Sequence, residues 1–257
     1  MPQNNQNNLT LIKQTRKVGT SAGVILPISW MNKEVSVTLL NPSNKKILLD
    51  INEILFERGL NEETNGIYLF GSYARNDFEY DSDIDILVIT ENTNKLIKEG
   101  NYEIILISKR NFEKNLAKSL NLLSMIAEAK PLFNSGLIEK YKKVTLKKEN
   151  LKLFLSEIEK ILDIDYDSIK ECEENNLKIP DGIVYSIILR LRELYIIKCL
   201  INKKAYKKSK FKEIAGETYQ AYSRIKKNNV ELNNSQLNKL IKLFDIGKKW
   251  LTELKGL

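Results

Sequence analysis

Two aspartates stand two residues apart at the start of a predicted strand, where Asp83 and Asp85 lead into the apolar run ILVIT. Residues at this spacing share one face of a strand, so both carboxylates should project to one side of a largely buried sheet. Like charges packed this closely against an apolar core are costly unless a proton or a cation neutralises them. A divalent cation is the simpler solution at neutral pH.

A third acidic residue, Glu103, begins the next predicted strand, YEIILIS over residues 102–108. An all-oxygen set made of Asp83, Asp85 and Glu103 suits Mg²⁺ or Mn²⁺ rather than zinc. Upstream, Gly71 and Ser72 form a turn after the predicted strand GIYLF. Backbone N–H groups at such a turn can cradle a phosphate, and glycine permits its close approach.

These elements follow one another as a strand, a Gly-Ser turn, a helical turn and a strand with paired aspartates. Such an order can bind a phosphate group next to a metal ion. Two metal ions that bridge a triphosphate would activate an attacking hydroxyl and neutralise the pyrophosphate leaving group, which is the logic of nucleotidyl transfer. Either two-residue pattern alone is explained more simply by an ordinary turn or strand start, because such short patterns recur by chance.

The segment GSYARNDFEYDSDIDILV resembles the GSxxR…SDxDxxV signature of DNA polymerase β-like nucleotidyltransferases, particularly the minimal ones of prokaryotic toxin-antitoxin modules. The resemblance covers about residues 50–108. It implies that Gly71 and Ser72 contact the nucleoside triphosphate and that Asp83 and Asp85 bind two Mg²⁺ ions. It also implies a third carboxylate that completes the metal site and helps to deprotonate the acceptor, for which Glu103 is the candidate.

The signature also contains Arg75, which either holds phosphate or pairs, as a structural residue, with the acidic loop EYDS, residues 79–82. Two positions depart from the family pattern. Asn76 stands where a glycine often follows the arginine, and the third acid is a glutamate at a short interval where an aspartate is common. The second departure concerns a residue that is expected to take part in catalysis.

The amino-terminal segment carries a second pattern. Three strands are predicted over residues 9–15, 23–27 and 33–40, and KQTRKVGTSAGVILP resembles the SpoVT/AbrB-like swapped-hairpin DNA-binding domain. A hairpin this small cannot bury its apolar face alone, so we expect two chains to pair. The resemblance implies a basic surface that contacts DNA, formed by Lys13, Arg16 and Lys17. The alternative is a solvated, lysine-rich edge strand.

Composition narrows the chemistry further. None of the 257 residues is a histidine, which excludes a histidine general base and every histidine-containing zinc site. The net charge of +8 is divided unevenly, with +5 over residues 1–48, −9 over 49–108 and +12 over 109–257. This division suggests modules with different partners.

The carboxy-terminal half is predicted to be helical over residues 109–130, 147–163, 182–203, 209–228 and 234–254. It looks broadly like the helical partner domains of minimal nucleotidyltransferases, including the HEPN group. Its lack of histidine excludes the Arg-x4-6-His nuclease motif of that group. KKAYKKSKFK, residues 203–212, either grips RNA or a phosphorylated acceptor or forms a solvated loop.

These observations predict an α+β chain with a disordered tail over residues 1–8, a swapped-hairpin β module over 9–44, a polymerase β-like mixed-sheet core over 45–108 and an α-helical bundle over 109–257. The expected activity is Mg²⁺-dependent transfer of a nucleoside monophosphate from a triphosphate, with ATP expected, to a protein or RNA hydroxyl. We expect a cytoplasmic homodimer that binds DNA and no membrane. Its domain company suggests a toxin-antitoxin or stress module.

Two other functions fit the sequence. One is a DNA-binding transcriptional regulator whose nucleotidyltransferase domain only senses a nucleotide. The other is a small-molecule nucleotidyltransferase of the antibiotic-modifying sort.

Overall fold

The structure is a computed structural model that describes residues 11–37, 42–79 and 82–256. The chain forms two compact units, Met1–Asn41 and Pro42–Leu257. The predicted disordered tail, the end of the third predicted strand and Asp81 of the acidic loop lie outside the described residues. Within the described residues, no helix is both long and apolar enough to cross a membrane.

In the described part of the amino-terminal unit, residues 11–37, β1 (Arg16–Val18) and β2 (Ser21–Gly23) form an antiparallel hairpin, which is followed by a 3-10 helix at Ile28–Trp30. The predicted strand positions were wrong. Because the turn is only two residues long and starts at Gly19, whose φ is +57°, the strands pair immediately on either side of it. Residues 33–37 form no strand.

The second unit is built around a five-stranded mixed sheet in the order β5-β6-β4-β3-β7. The central strands β3 (Thr64–Phe70) and β4 (Ile84–Thr90) are antiparallel, whereas β4 and β6 (Tyr102–Ser108) are parallel. These three strands confirm the predicted ones. The sequence patterns missed the two edge strands, β5 (Lys95–Glu99) and β7 (Lys130–Phe133).

Both edge strands lack the apolar pattern that identified the central ones. β5 is largely exposed and contains two lysines. β7 contains Pro131, which is tolerated in a strand that pairs on one side only. Because of β7, the helix predicted over residues 109–130 ends early, and the segment forms α3 (Lys109–Asn115), a 3-10 turn and α4 (Leu120–Glu128).

Each face of the sheet is covered by helices. Helix α1 (Asn44–Glu57) packs Ile47, Ile51 and Leu55 on one face, and the chain turns away from it at Gly59, whose φ is +65°. The N–H groups of Gly59 and Leu60 bond to the carbonyls of Phe56 and Leu55, which caps the helix. On the other face lie α3, α4 and α5 (Ser135–Tyr141), while the short α2 (Gly71–Arg75) directly follows β3.

The remaining chain is a helical bundle with its own core. It consists of α6 (Lys148–Glu174), α7 (Asp181–Ile201), α8 (Lys208–Ala215), α9 (Tyr219–Lys226) and α10 (Leu237–Lys255). Helix α7 contributes to this core, since Ile187, Leu191 and Leu194 are fully buried. Asp181, at the start of α7, is buried and accepts two hydrogen bonds from Arg224, 2.7 and 3.0 Å long. The α+β fold class is confirmed.

Candidate active site

The predicted carboxylates lie where the amino ends of the parallel strands β4 and β6 are side by side. We call this end of the sheet the carboxylate edge. Asp85 lies directly opposite Glu103 in the parallel pairing of β4 with β6, and directly opposite Phe70 in the antiparallel pairing with β3. Asp83 precedes β4 by one residue, two positions before Asp85, and is exposed. Strand alternation therefore puts the three acids on the same face of the sheet.

Gly71 packs directly against this carboxylate group. Its φ is +69°, and a Cβ atom built on it would lie 1.9 Å from Oδ2 of Asp85. Only glycine satisfies both the left-handed backbone and the lack of space. The turn thus brings the backbone at the start of α2 to the side chain of Asp85.

The charges around Asp85 favour a bound cation. Burial, followed by the negative charges of Glu103 and Asp83, raises the pKa of Asp85 to about 6. Within the described residues, no lysine or arginine forms an ion pair with Asp85 or Asp83, whereas Glu103 pairs with Lys98 at 3.3 Å. The site therefore concentrates negative charge, which Lys98, Lys226 and Arg75 offset only in part.

A hard divalent cation fits the chemistry of this donor set, because all the donors are carboxylate oxygens. The described residues contain no group of three or more acidic, cysteine or histidine side chains arranged to hold one ion. Asp83 and Asp85 would therefore be the ligands, and Glu103 would have to turn away from Lys98 to join them.

Arg75, at the end of α2, is engaged in ion pairs. Its Nε donates to Oδ2 of Asp77 at 3.1 Å and its Nη1 donates to Oε2 of Glu128 at 2.7 Å. The guanidinium also lies 5.3 Å from the ring centroid of Tyr206. Of the two roles considered for Arg75, the structure shows ion pairing, with Asp77 just before the acidic loop and with Glu128 on α4.

The sequence patterns did not identify Glu128, at the end of α4. Its Oε1 accepts from the backbone N–H of Gly71 at 2.9 Å, while its Oε2 binds Arg75. The N–H group of Gly71, which was expected to cradle phosphate, is thus bonded to a carboxylate. The next residue, Ser72, is partly buried in α2. A glutamate at a helix end gives no sequence signal for such a contact.

The backbone conformation of Asn76 explains why asparagine can stand where the family pattern often has glycine. It caps α2 with φ 60° and ψ 33°, which is the left-handed conformation. Glycine adopts this conformation most easily, and asparagine is among the residues that replace it most often. The replacement therefore preserves the turn.

The acidic loop is tied to the helical bundle through Glu79. Its Oε1 accepts from Nζ of Lys208 and of Lys212, each at 3.0 Å, and its Oε2 from Lys227 at 3.5 Å. Hydrogen bonds from Lys208 and Lys212 lower the pKa of Glu79 to about 2. The lysine-rich segment 203–212 consequently lies beside the loop that leads to Asp83 and Asp85.

The predicted DNA-contacting residues lie in the other unit. Arg16 and Lys17 are on β1 and Lys13 precedes it, and all three are exposed.

A glycine turn packed on paired carboxylates has the chemistry to hold a phosphate group and a divalent cation together. The family model for the nucleotidyltransferase domain matches residues 50–213, so the chain belongs to that family. A nucleotidyltransferase-like protein from Exiguobacterium sibiricum 255-15, solved by crystallography, is similar at 13% identity over 82% of this chain and 77% of that chain. The TM-score of the two structures is 0.37. No curated protein sequence matches significantly.

Proposed function

We propose that the protein is a polymerase β-like, Mg²⁺-dependent nucleotidyltransferase that transfers a nucleoside monophosphate, from ATP in the first instance, to a hydroxyl of an RNA or protein acceptor. The observation that carries the proposal is the packing of Gly71 on Asp85 at the edge where Glu103 is in register. This packing joins the Gly71 turn, which we propose contacts the triphosphate, to a cluster of carboxylates that is only partly compensated by cations, inside the segment matched by the family model.

Asp83 and Asp85, joined by Glu103, would hold Mg²⁺ or Mn²⁺. When bound, the cation would stabilise negative charge on the triphosphate and make the acceptor hydroxyl a better nucleophile. The acceptor oxygen forms a bond to the α-phosphorus while the bond from that phosphorus to pyrophosphate breaks. The hydroxyl proton passes to the carboxylate of Glu103, the acid that lies in register with Asp85.

The turn and its neighbours position the nucleotide. Ser72 and the backbone of α2 would contact the triphosphate, and Arg75 would reach it only by leaving one of its two carboxylate partners. The ammonium groups of Lys208 and Lys212, next to the acidic loop, favour an acceptor with negative charge.

The test is transfer of label from each α-labelled nucleoside triphosphate into host RNA and protein, with Mg²⁺ and the full chain. We expect transfer by the wild type and at least about a hundredfold loss in Asp83→Asn/Asp85→Asn. The matched control, Asp163→Asn/Asp167→Asn on α6, removes two exposed carboxylates and should retain activity. Binding of the triphosphate without transfer would instead favour a nucleotide-sensing regulator, and labelling of only small hydroxyl compounds would favour a small-molecule enzyme.

We also propose that the amino-terminal unit binds DNA as a dimer, with a role in a toxin-antitoxin or stress module. Residues 11–37 include no buried residue, and apolar side chains such as Ile28 and Val37 are 79% and 77% exposed. An apolar surface without a core is stabilised when a second copy covers it. Each of the two chains would then contribute Lys13, Arg16 and Lys17 to one shared basic surface.

DNA binding can be tested separately from catalysis. Arg16→Ala/Lys17→Ala should weaken binding of the full chain to its own promoter region and flatten the salt dependence of the affinity, because fewer phosphates are neutralised. Lys33→Ala, in the same unit, is the control. A monomer by light scattering, or unchanged DNA affinity in the double variant, would contradict the proposal.

A further inference from the structure

Arg192 is a cation of α7 with an unusual neighbour. Its guanidinium carbon lies 5.7 Å from the ring centroid of Tyr206, and that of Arg75 lies 5.3 Å from the same centroid. Arg192 belongs to the helical bundle, while Arg75 belongs to α2 beside the sheet. One tyrosine ring therefore contacts two positive charges from the two halves of the second unit.

The two arginines differ in how their charge is compensated. Arg75 has carboxylate partners in Asp77 and Glu128. Among the ion pairs of the described residues, none involves Arg192. Burial lowers the pKa of Arg192, the tyrosines Tyr222 and Tyr206 raise it, and the charge of Arg75 opposes them, so that the pKa is raised on balance.

Arg192 is thus partly buried, hydrogen-bonded to Tyr206 and without a carboxylate partner among the described residues. A bound anion would supply the carboxylate-like partner that Arg192 lacks. A guanidinium is suited to phosphate in particular, because its planar N–H groups can bind two phosphate oxygens together.

The position of Arg192 indicates which phosphate it would meet. Tyr206 connects it to Arg75, which ends the helix that begins at Gly71, and Gly71 touches Asp85. Further cations surround this region, since Lys212 lies 5.2 Å from the ring centroid of Tyr219 and also binds Glu79. A phosphate chain that starts at the carboxylate edge would extend toward this basic region.

We propose that Arg192 is a phosphate-binding residue through which the helical bundle holds the polyphosphate of the nucleotide. This inference rests on the proposed function, because it takes the carboxylate edge as the site of the α-phosphate. It assigns the bundle a part in nucleotide binding as well as in acceptor binding.

The test uses inorganic tripolyphosphate as the probe, with the full chain in Mg²⁺-containing buffer. Arg192→Met should weaken tripolyphosphate binding, measured by calorimetry, at least about tenfold. Its melting temperature without the probe should stay close to that of the wild type, because Arg192 forms no ion pair in the described residues that the substitution would break. Arg110→Met, which removes an exposed arginine from α3, should change neither value.

A purely structural arginine gives the opposite result: Arg192→Met would melt earlier and bind tripolyphosphate as tightly as the wild type, and this would overturn the proposal. If Arg192→Met does not fold, Arg192→Lys keeps the charge but not the two-pronged geometry, and a loss of affinity of about threefold or more is expected. Unchanged affinity in the lysine variant would overturn the proposal.

A second arm distinguishes nucleotide from RNA as the source of the phosphate. Arg192→Met should bind a short single-stranded RNA as the wild type does, and a loss confined to RNA would overturn the assignment to the polyphosphate. Because neither arm requires turnover, they also separate this proposal from the proposed reaction. An absence of label transfer together with arginine-dependent tripolyphosphate binding would reject the reaction and keep the site.

Discussion

Replacing Gly71 with alanine tests whether the turn and the carboxylate edge act together. The added Cβ atom would lie 1.9 Å from Oδ2 of Asp85, whereas ordinary contact begins at 3.4 Å. The oxygen would therefore have to retreat by the difference, about 1.5 Å. A displacement of about 1 Å in a catalytic group typically costs about a hundredfold in rate.

The backbone contributes a second, separate cost. The φ of Gly71 is +69°, and an L-residue in this region is destabilised by about 1–2 kcal/mol. Gly100, in the turn between β5 and β6, is a matched control because its φ is +57° and no neighbouring atom lies within 4 Å of the place that a Cβ atom would take. Gly100→Ala should therefore show the backbone cost alone.

Urea unfolding and label transfer measure the two costs. Gly100→Ala should lose about 1–2 kcal/mol of unfolding free energy and keep its activity. Gly71→Ala should lose at least as much stability and about a hundredfold in transfer rate. If Gly71→Ala matches Gly100→Ala in both measurements, the contact with Asp85 does not position the carboxylate, and the reasoning is refuted.

Two further predictions concern stability. The pKa of Glu79 is lowered from 4.5 to about 2, so its ion pairs stabilise the fold above pH 4.5 and are lost as the pH falls toward 2. Because the side chain is 40% exposed, Glu79→Gln should cost only about 1 kcal/mol at pH 7 and should flatten the acid limb of the stability profile, while an unchanged limb would contradict this. Asp181→Asn breaks a buried pair with Arg224 and should cost about 3 kcal/mol in urea unfolding. Glu159→Gln breaks the exposed pair with Lys255 and should cost less than about 1 kcal/mol; equal losses would refute the difference.

Local patterns in the sequence were enough for the central elements. The apolar runs of β3, β4 and β6 and the helical spacing of α1 are recognisable within a few residues, because burial on both faces or on one stripe leaves a short-range periodicity. The placement of Asp83 and Asp85 on one face follows from strand geometry alone. The lack of histidine also limits the candidates for catalytic groups, mainly to carboxylates and hydroxyls.

The tertiary structure decided the contacts between segments far apart in the chain. The register that sets Glu103 opposite Asp85 depends on how β6 aligns with β4, and the hydrogen bond from Gly71 to Glu128 spans 57 residues. The meeting of Arg75 and Arg192 at Tyr206 depends on how the bundle packs on the sheet. Such contacts leave no periodic signal, because a single polar side chain gains its partner only when the whole core has packed.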